Sequence, residues 1–179
     1  MNRLSIGILF CVCGSLSACI STSSPETPHF YTRLDRQYAQ INHQSALDLI
    51  NAYRLKHGKS ILSLNDKLNQ AAQIQSTRMA DAGQVTHAIG RDGKLSRRLK
   101  SVGYLYSSAA ENIGAGYWTL AEAFSGWRDS PGHNKNMLLD DVSELGIATV
   151  YHANKKYKVF WTMIVASPKL PQPSITANR

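Results

Sequence analysis

Four polar segments of the chain carry the side chains best suited to acid–base or metal chemistry. Each contributes one titratable residue beside a turn or at the end of a predicted element, namely His87, Glu111, His133 and Glu144. Imidazole and carboxylate groups act as general acids and bases near neutral pH and as ligands of divalent cations. Their separations match no short zinc signature such as two histidines four residues apart. Spacing alone therefore does not assemble these residues into one site.

A structural interpretation is open for each of them, because a single histidine or glutamate at an element end is more often structural than catalytic. Ser130 is likewise interpreted as a helix cap, since no Gly-x-Ser-x-Gly elbow surrounds it. Lys94, Arg97 and Arg98 fall at helical spacing opposite two leucines and are interpreted as a solvated helix face. The functional alternative for this face is contact with anionic headgroups or glycans.

The positions of these residues predict mainly turns and helix ends. Helices are expected to begin at or be capped by Ser45, Asn65, Asp92, Thr119 and Ser130, the last with Pro131 in its first turn. Strands rich in β-branched and aromatic residues are expected at residues 145–151 and 157–165, with a further strand at 110–117. Helices that precede a terminal β-hairpin favour an α+β fold with an antiparallel sheet.

In this order the four segments resemble the CAP superfamily, also called SCP/TAPS, and in particular its bacterial cysteine-free branch. The superfamily includes cysteine-rich secretory proteins, antigen 5 and plant pathogenesis-related proteins. The motifs that carry the resemblance are Val85-Thr86-His87, Glu111-Asn112-Ile113, Trp127 followed by Ser130-Pro131-Gly132-His133 and Asn136-Met137-Leu138, and Glu144-Leu145-Gly146. The segment from the tryptophan to the last leucine is the most specific of them.

The resemblance implies a three-layer α-β-α sandwich around a central antiparallel sheet, with a groove that contains all four residues. His87 and His133 would hold a divalent metal such as zinc or magnesium. Glu111 and Glu144 would be catalytic, or would fix the imidazole tautomers. A metal-free version, with the two carboxyl groups acting across a glycan bond, stays open. Met163 departs from the pattern, because the family often has glutamine at this position.

Two functions and a structural alternative follow from this resemblance. The first is hydrolysis of a cell-wall glycan or peptide at the cell envelope, with or without a metal. The second is non-enzymatic binding of a lipid, a metal or a partner protein by the same groove. The structural alternative is a satisfied polar network with no ligand.

The N-terminus has the organisation of an export signal. A short positive start is followed by an apolar run at residues 4–16, which is shorter than the roughly 20 residues needed to span a bilayer. Leu16-Ser17-Ala18-Cys19 resembles the bacterial lipobox. We therefore predict a lipoprotein signal peptide at residues 1–18 and lipidation of Cys19, with an ordinary signal peptide as the alternative. Ile20, in place of aspartate, favours the outer membrane if the source is Gram-negative.

The remaining chain divides into a tether at residues 19–39, a CAP domain at 40–167 and a C-terminal tail at 168–179. All three cysteines lie within the first nineteen residues, so the domain folds without disulfides. The chain carries 20 Lys and Arg against 12 Asp and Glu, a net charge of +8. Outside the cytoplasm such a charge favours anionic lipid, acidic glycan or peptidoglycan as a partner, in addition to the membrane reached by the lipid. No nucleic-acid motif is found, and oligomeric state is left open.

Overall fold

The computed structural model describes residues 27–170. The predicted signal peptide, Cys19 and the first part of the predicted tether lie outside the described residues, as does most of the predicted tail. Within the described range, no helix combines the length and the apolar character that crossing a bilayer requires.

Within residues 27–170, helices and strands are interspersed along the chain, and the strands form one sheet. A short 3-10 helix, His29–Tyr31, precedes five α-helices: α1 His43–Lys56, α2 Asp66–Ala82, α3 Leu95–Ser101, α4 Leu120–Arg128 and α5 Pro131–Met137. The strands are β1 Ser63–Leu64, β2 Tyr106–Ala115, β3 Glu144–Tyr151 and β4 Val159–Pro168. The expected α+β class is confirmed.

The sheet has the order β1-β3-β4-β2, so β2 lies at one edge. Strand β4 pairs antiparallel with β3, as the hairpin pattern predicts, and also antiparallel with β2, a pairing that the pattern did not specify. The two-residue strand β1 pairs parallel with β3 and was not predicted, because two residues are too few to show a periodicity.

Helices cover both faces of the sheet, which confirms the three-layer sandwich. One face packs against α2 and α3, and the other against α1, α4 and α5. The side chains of β4 are buried from Val159 to Ala166, as expected for a strand between two helical layers. Met163, where glutamine was expected, is among them and packs in the apolar cluster beside α1 and α4, where an amide would be costly to bury.

Gly146 of the Glu-x-Gly motif lets α2 approach the sheet closely. A β-carbon at this position would lie 2.2 Å from the backbone carbonyl carbon of Leu68. The motif therefore has a packing role in addition to any role of its glutamate.

Helix ends agree with the predictions in part. Helix α2 begins after Asn65, whose side chain accepts from two backbone amides, and ends at Gly83 with a left-handed φ of 68°. The predicted cap Ser45 is wrong, because Asn42 caps α1 and its side-chain oxygen accepts from the backbone amide of Ser45 at 2.8 Å. Helix α3 begins at Leu95 and not three residues earlier.

Two further caps refine the expected motifs. The Thr119 side chain accepts from the Glu122 amide, but the Glu122 carboxylate accepts from the amide of Trp118, so the capping box is only half formed. Ser130 lies at the N-cap position of α5 without a side-chain cap hydrogen bond, and Pro131 opens the helix as predicted.

The fold extends into the segment assigned to the tether. Leu34 is buried in the cluster beside α1 and α4, and its amide donates to the carbonyl of Trp118 at 2.8 Å. The folded domain therefore begins before residue 40. Leu34 is the one fully buried residue among residues 27–39, and a single buried position leaves no periodic pattern, which explains the difference.

Candidate functional site at the edge strand

The outer edge of β2 is covered by side chains from α4 and α5. Trp127 donates its indole N–H to the carbonyl of Ile113 at 3.1 Å, and Asn136 donates its amide to the carbonyl of Glu111 at 3.2 Å. An edge strand otherwise exposes such carbonyls as a template for further pairing. The tryptophan and asparagine of the longest motif thus close this edge.

Asn112 joins the edge strand to α5. Its side chain is fully buried, donates to the backbone carbonyl of His133 at 2.9 Å and accepts from the Asn136 amide at 2.9 Å. The two asparagines therefore hold His133 against β2. Sequence reasoning did not assign either of them a role, although both stand inside the motifs that carried the resemblance.

Glu111 points to the opposite face of β2, toward α2 and α3. Its side chain is only 3% exposed. One carboxylate oxygen lies 2.9 Å from Nδ1 of His87, and the other accepts from Arg98 at 2.5 Å. Both oxygens are thus engaged, and the guanidinium compensates the buried charge, as burial of a carboxylate requires.

Arg98 corrects the interpretation of its helix face as solvated. Its side chain is 1% exposed and donates to the carbonyls of Gly93 and Ala71 as well as to Glu111. Helix α3 packs this face against α2 and β2, and the buried carboxylate makes the charge acceptable there. Lys94 and Arg97 behave as predicted, since both are exposed, and Arg97 pairs with Asp92.

His87 lies in the loop that follows α2, with its side chain 60% exposed. The buried Gln75 of α2 donates to the carbonyl of Thr86 at 2.6 Å and thereby anchors the loop beside the histidine. A carboxylate can only accept hydrogen bonds, so Glu111 holds the proton of the neutral imidazole on Nδ1. The Nε2 of His87 is then left as an acceptor.

His133 completes the part of the site that the fold assembles. Its side chain is partly buried, and burial lowers its pKa, with the charge of His87 lowering it further. The imidazole is accordingly neutral at neutral pH. His87 lies on the side of β2 that packs against α2 and α3, and His133 lies on the side covered by α4 and α5.

Glu144 is not brought to the other three residues. It shares a sheet face with Glu111, because Glu111 and Gly146 both lie opposite Ile164 in register. Glu144 nevertheless lies two strands across the sheet from Glu111 and two residues further along its strand, which puts their Cα atoms roughly 12 Å apart. The carboxylate of Glu144 instead accepts from the hydroxyl of Tyr104 at 2.5 Å. The expected tetrad is thus a trio at one edge and a separate glutamate.

A resident zinc or magnesium ion does not fit the trio. Among residues 27–170, no group of three or more His, Cys, Asp or Glu side chains is placed to hold a metal. Zinc sites in proteins use three or four protein ligands, and magnesium prefers oxygen ligands. The site offers two imidazoles, and the carboxylate beside His87 is already engaged by Arg98.

This architecture, a three-layer sandwich whose edge strand carries Glu-Asn-Ile beneath a Trp and Ser-Pro-Gly-His helix pair, defines a CAP domain. The profile of the Cysteine-rich secretory protein family, CAP, matches residues 47–165. The chain therefore belongs to this family.

Bacterial relatives agree with this assignment. The uncharacterised protein YkwD of Bacillus subtilis is 32% identical over 107 residues, which are 60% of this chain and 42% of YkwD. The uncharacterised membrane protein YlbC of the same organism is 33% identical over 101 residues, 56% of this chain and 29% of YlbC. The chain thus spans less than half the length of these curated relatives.

Solved structures show the same fold. An extracellular protein containing an SCP domain from Bacillus anthracis superposes with a TM-score of 0.62 at 28% identity, over 69% of this chain and 39% of that protein. An outer surface protein of Borrelia burgdorferi superposes with a TM-score of 0.63 at 16% identity, over 73% of this chain and 98% of that protein, a likeness in fold alone.

Proposed function

We propose that this CAP-domain protein acts outside the cytoplasm and binds a hydroxyl-rich cell-wall glycan through His87 and His133. The observation that carries the proposal is the buried Arg98–Glu111 pair, which fixes the imidazole of His87. A side chain whose orientation is fixed by buried partners and whose remaining atoms are exposed to solvent is preorganised to bind a ligand.

The chemistry of the two imidazoles suits hydroxyl groups. In its neutral form His87 turns an Nε2 acceptor outward, and the lowered pKa keeps His133 neutral as well. Sugar hydroxyls are donors that such nitrogens accept. The net charge of +8 further favours the acidic polymers of an envelope.

The proposed location rests on the predicted lipoprotein signal and lipidation of Cys19. A lipid-anchored chain with a polar tether would place the domain beside the wall, at the outer membrane in a Gram-negative cell and facing either the periplasm or the surface. A matched relative is named as a membrane protein and a matched structure as extracellular, which supports a place in the envelope.

Sedimentation with purified cell-wall sacculi tests the binding. The full-length chain in detergent should co-sediment with sacculi at neutral pH. We expect His87→Ala to weaken binding at least tenfold, and His87→Ala with His133→Ala to remove it. His57→Ala is the control, because His57 is an exposed histidine at the end of α1. Equal sedimentation of all four proteins would contradict the proposal.

Hydrolysis at the same site is a second candidate, and the contact between His87 and Glu111 favours it. A carboxylate that orients an imidazole is the arrangement by which a histidine acts as a general base on water. In this version Glu111 positions His87 and does not itself exchange a proton with the substrate.

Product analysis separates the two functions. Sacculi are incubated with the full-length chain, with and without added zinc or magnesium, and the soluble fragments are resolved by chromatography. Hydrolysis predicts fragments that disappear in His87→Ala and decrease in Glu111→Gln. Fragment profiles identical to those of buffer alone would exclude hydrolysis and leave binding.

A further inference from the structure

A second concave surface surrounds Glu144. It has a volume of about 580 Å³ and is lined by Lys67, Tyr104, Leu105, Glu144, Pro168 and Lys169 among others. We call it the Glu144 cleft. None of the three residues of the edge-strand site lines it. Ligand sites in proteins have volumes of this order, with a few polar groups that converge on the ligand.

The carboxylate of Glu144 is held in place but keeps one oxygen available. The hydroxyl of Tyr104 donates to one oxygen at 2.5 Å, and the other makes no hydrogen bond within residues 27–170. Burial raises the pKa of Tyr104, and the adjacent carboxylate raises it further, so the hydroxyl stays protonated and keeps donating. The second oxygen is an oriented acceptor for a cation.

Two lysines line the same cleft without pairing with that carboxylate. Lys67 donates to the carbonyl of Gly103 at 3.0 Å and keeps two further hydrogens, while Lys169 is exposed. Within the described part of the chain, neither ammonium lies within the 4.0 Å of the Glu144 carboxylate that an ion pair requires. Opposite charges thus face one cleft across a gap that a ligand carrying both charges would fill.

The cleft also has an apolar wall. Leu105 is 68% exposed, and Pro168 is exposed beside it. The backbone amide of Lys169 donates to the carbonyl of Leu105 at 2.9 Å, which holds the wall together. An anionic group, cationic groups and an aliphatic surface in one cleft match the ammonium, carboxylate and side chains of a peptide.

We propose that the Glu144 cleft binds a short zwitterionic peptide, with its ammonium group on the Glu144 carboxylate and its carboxylate at Lys67 and Lys169. An aliphatic side chain of the peptide packs on Leu105. Asp66 also lines the cleft and lies in the first turn of α2, so it limits the negative charge that the ligand can carry.

Calorimetric titration of the full-length chain with tri-alanine tests the cleft, and altered peptides test each charge. We expect a dissociation constant of about 1 mM, a loss of binding for N-acetylated tri-alanine and a weakening of at least fivefold for C-amidated tri-alanine. Free alanine, whose two charges lie closer together and which has fewer contacts with the apolar wall, should bind more weakly. No heat from tri-alanine up to about 10 mM, or equal heats from the acetylated peptide, would overturn the proposal.

Variants locate the site. Glu144→Gln and a Lys67→Gln, Lys169→Gln double variant should each weaken tri-alanine binding at least tenfold. Lys56→Gln is the charge control, since Lys56 is exposed at the end of α1 and away from the cleft. If Glu144→Gln does not fold, the lysine variants and the modified peptides still test whether the cleft binds the peptide. Wild-type affinity for tri-alanine in the folded cleft variants would overturn the assignment of the peptide site to this cleft. This holds whatever the glycan-binding test of His87 and His133 shows.

Discussion

Two glutamates on the same face of one sheet have opposite environments. Glu111 on the edge strand is buried, with both carboxylate oxygens taken by His87 and Arg98. Glu144 at the start of β3 is half-buried and lies beside an open cleft. Within residues 27–170 its carboxylate accepts one hydrogen bond, from the hydroxyl of Tyr104. Residue type and sheet face are shared, so the difference comes from the position of each strand in the sheet and from the helices and loops beside it.

The difference shows how neighbours assign a role to a carboxylate. Arg98 neutralises Glu111 and turns it into a support that orients a histidine. Glu144 has a phenol as its partner, which fixes its position but leaves its charge uncompensated and available to a ligand. The first glutamate is expected to matter most for stability and the second for binding.

The largest expected effect is that of Arg98→Met. The variant leaves the carboxylate of Glu111 buried without its counter-ion, which costs about 3–5 kcal/mol of unfolding free energy. Urea denaturation measures it. Arg97→Met, an exposed neighbour on the same helix, should stay within about 0.5 kcal/mol of wild type. A cost below about 1 kcal/mol for Arg98→Met would remove the contrast between the two glutamates.

Gly146→Ala should disturb both regions. Its β-carbon would overlap the backbone of Leu68, so α2 must move, and α2 carries Gln75 of the histidine site and Lys67 of the cleft. We expect a loss of about 1–3 kcal/mol by urea denaturation. Gly132→Ala is the matched control, because nothing lies within 4 Å of its added carbon, and it should be neutral or stabilising. Equal stability of the two variants would contradict the close contact.

Tyr104→Phe should have a smaller effect on stability. It removes one hydrogen bond to a half-buried carboxylate that solvent can still reach, which costs about 0.5–1.5 kcal/mol. Tyr106→Phe is the control, since its ring is partly exposed. A loss as large as that of Arg98→Met would show that Glu144 is as structural as Glu111, and would weaken the case for a free acceptor.

The smallest expected effect is that of acidification on the histidine site. Because burial lowers the pKa of His133 in the fold, the unfolded chain binds this proton at higher pH, and stability falls as pH decreases. The contribution is complete above the ordinary value of 6.5 and is lost as pH falls through the lowered value. Melting temperatures between neutral and acidic pH should fall less steeply for His133→Asn than for His152→Asn. Parallel curves would argue against the buried, neutral His133.

Much of the fold is predictable because its signals are local. The N-cap Asn65 and the terminal Gly83 bound α2 correctly, and the β-branched and aromatic residues near the C-terminus predict the hairpin of β3 and β4. The start of α1 was missed because Asn42 and Ser45 are both good caps, and a local pattern does not choose between them. Strand β1 exists only through its pairing with β3.

The site was predictable only in part. The motifs single out His87, Glu111 and His133, which the fold does bring to one edge, but they group Glu144 with them. Arg98 was interpreted as solvated because helical spacing shows which residues share a face and not whether another element covers it. Gln75 and Asn112 act through buried hydrogen bonds to backbone carbonyls, which leave no pattern in the chain.

The sequence by itself determined the family, the α+β class, most helix and strand positions and the residues that carry the chemistry. These depend on short-range properties, namely periodicity, capping and the order of motifs. Only the tertiary structure decided which carboxylate meets which partner. That choice depends on strand order and register and on how α3 packs, and distances of a few ångströms between distant segments decide whether a charge is buried, paired or open to a ligand.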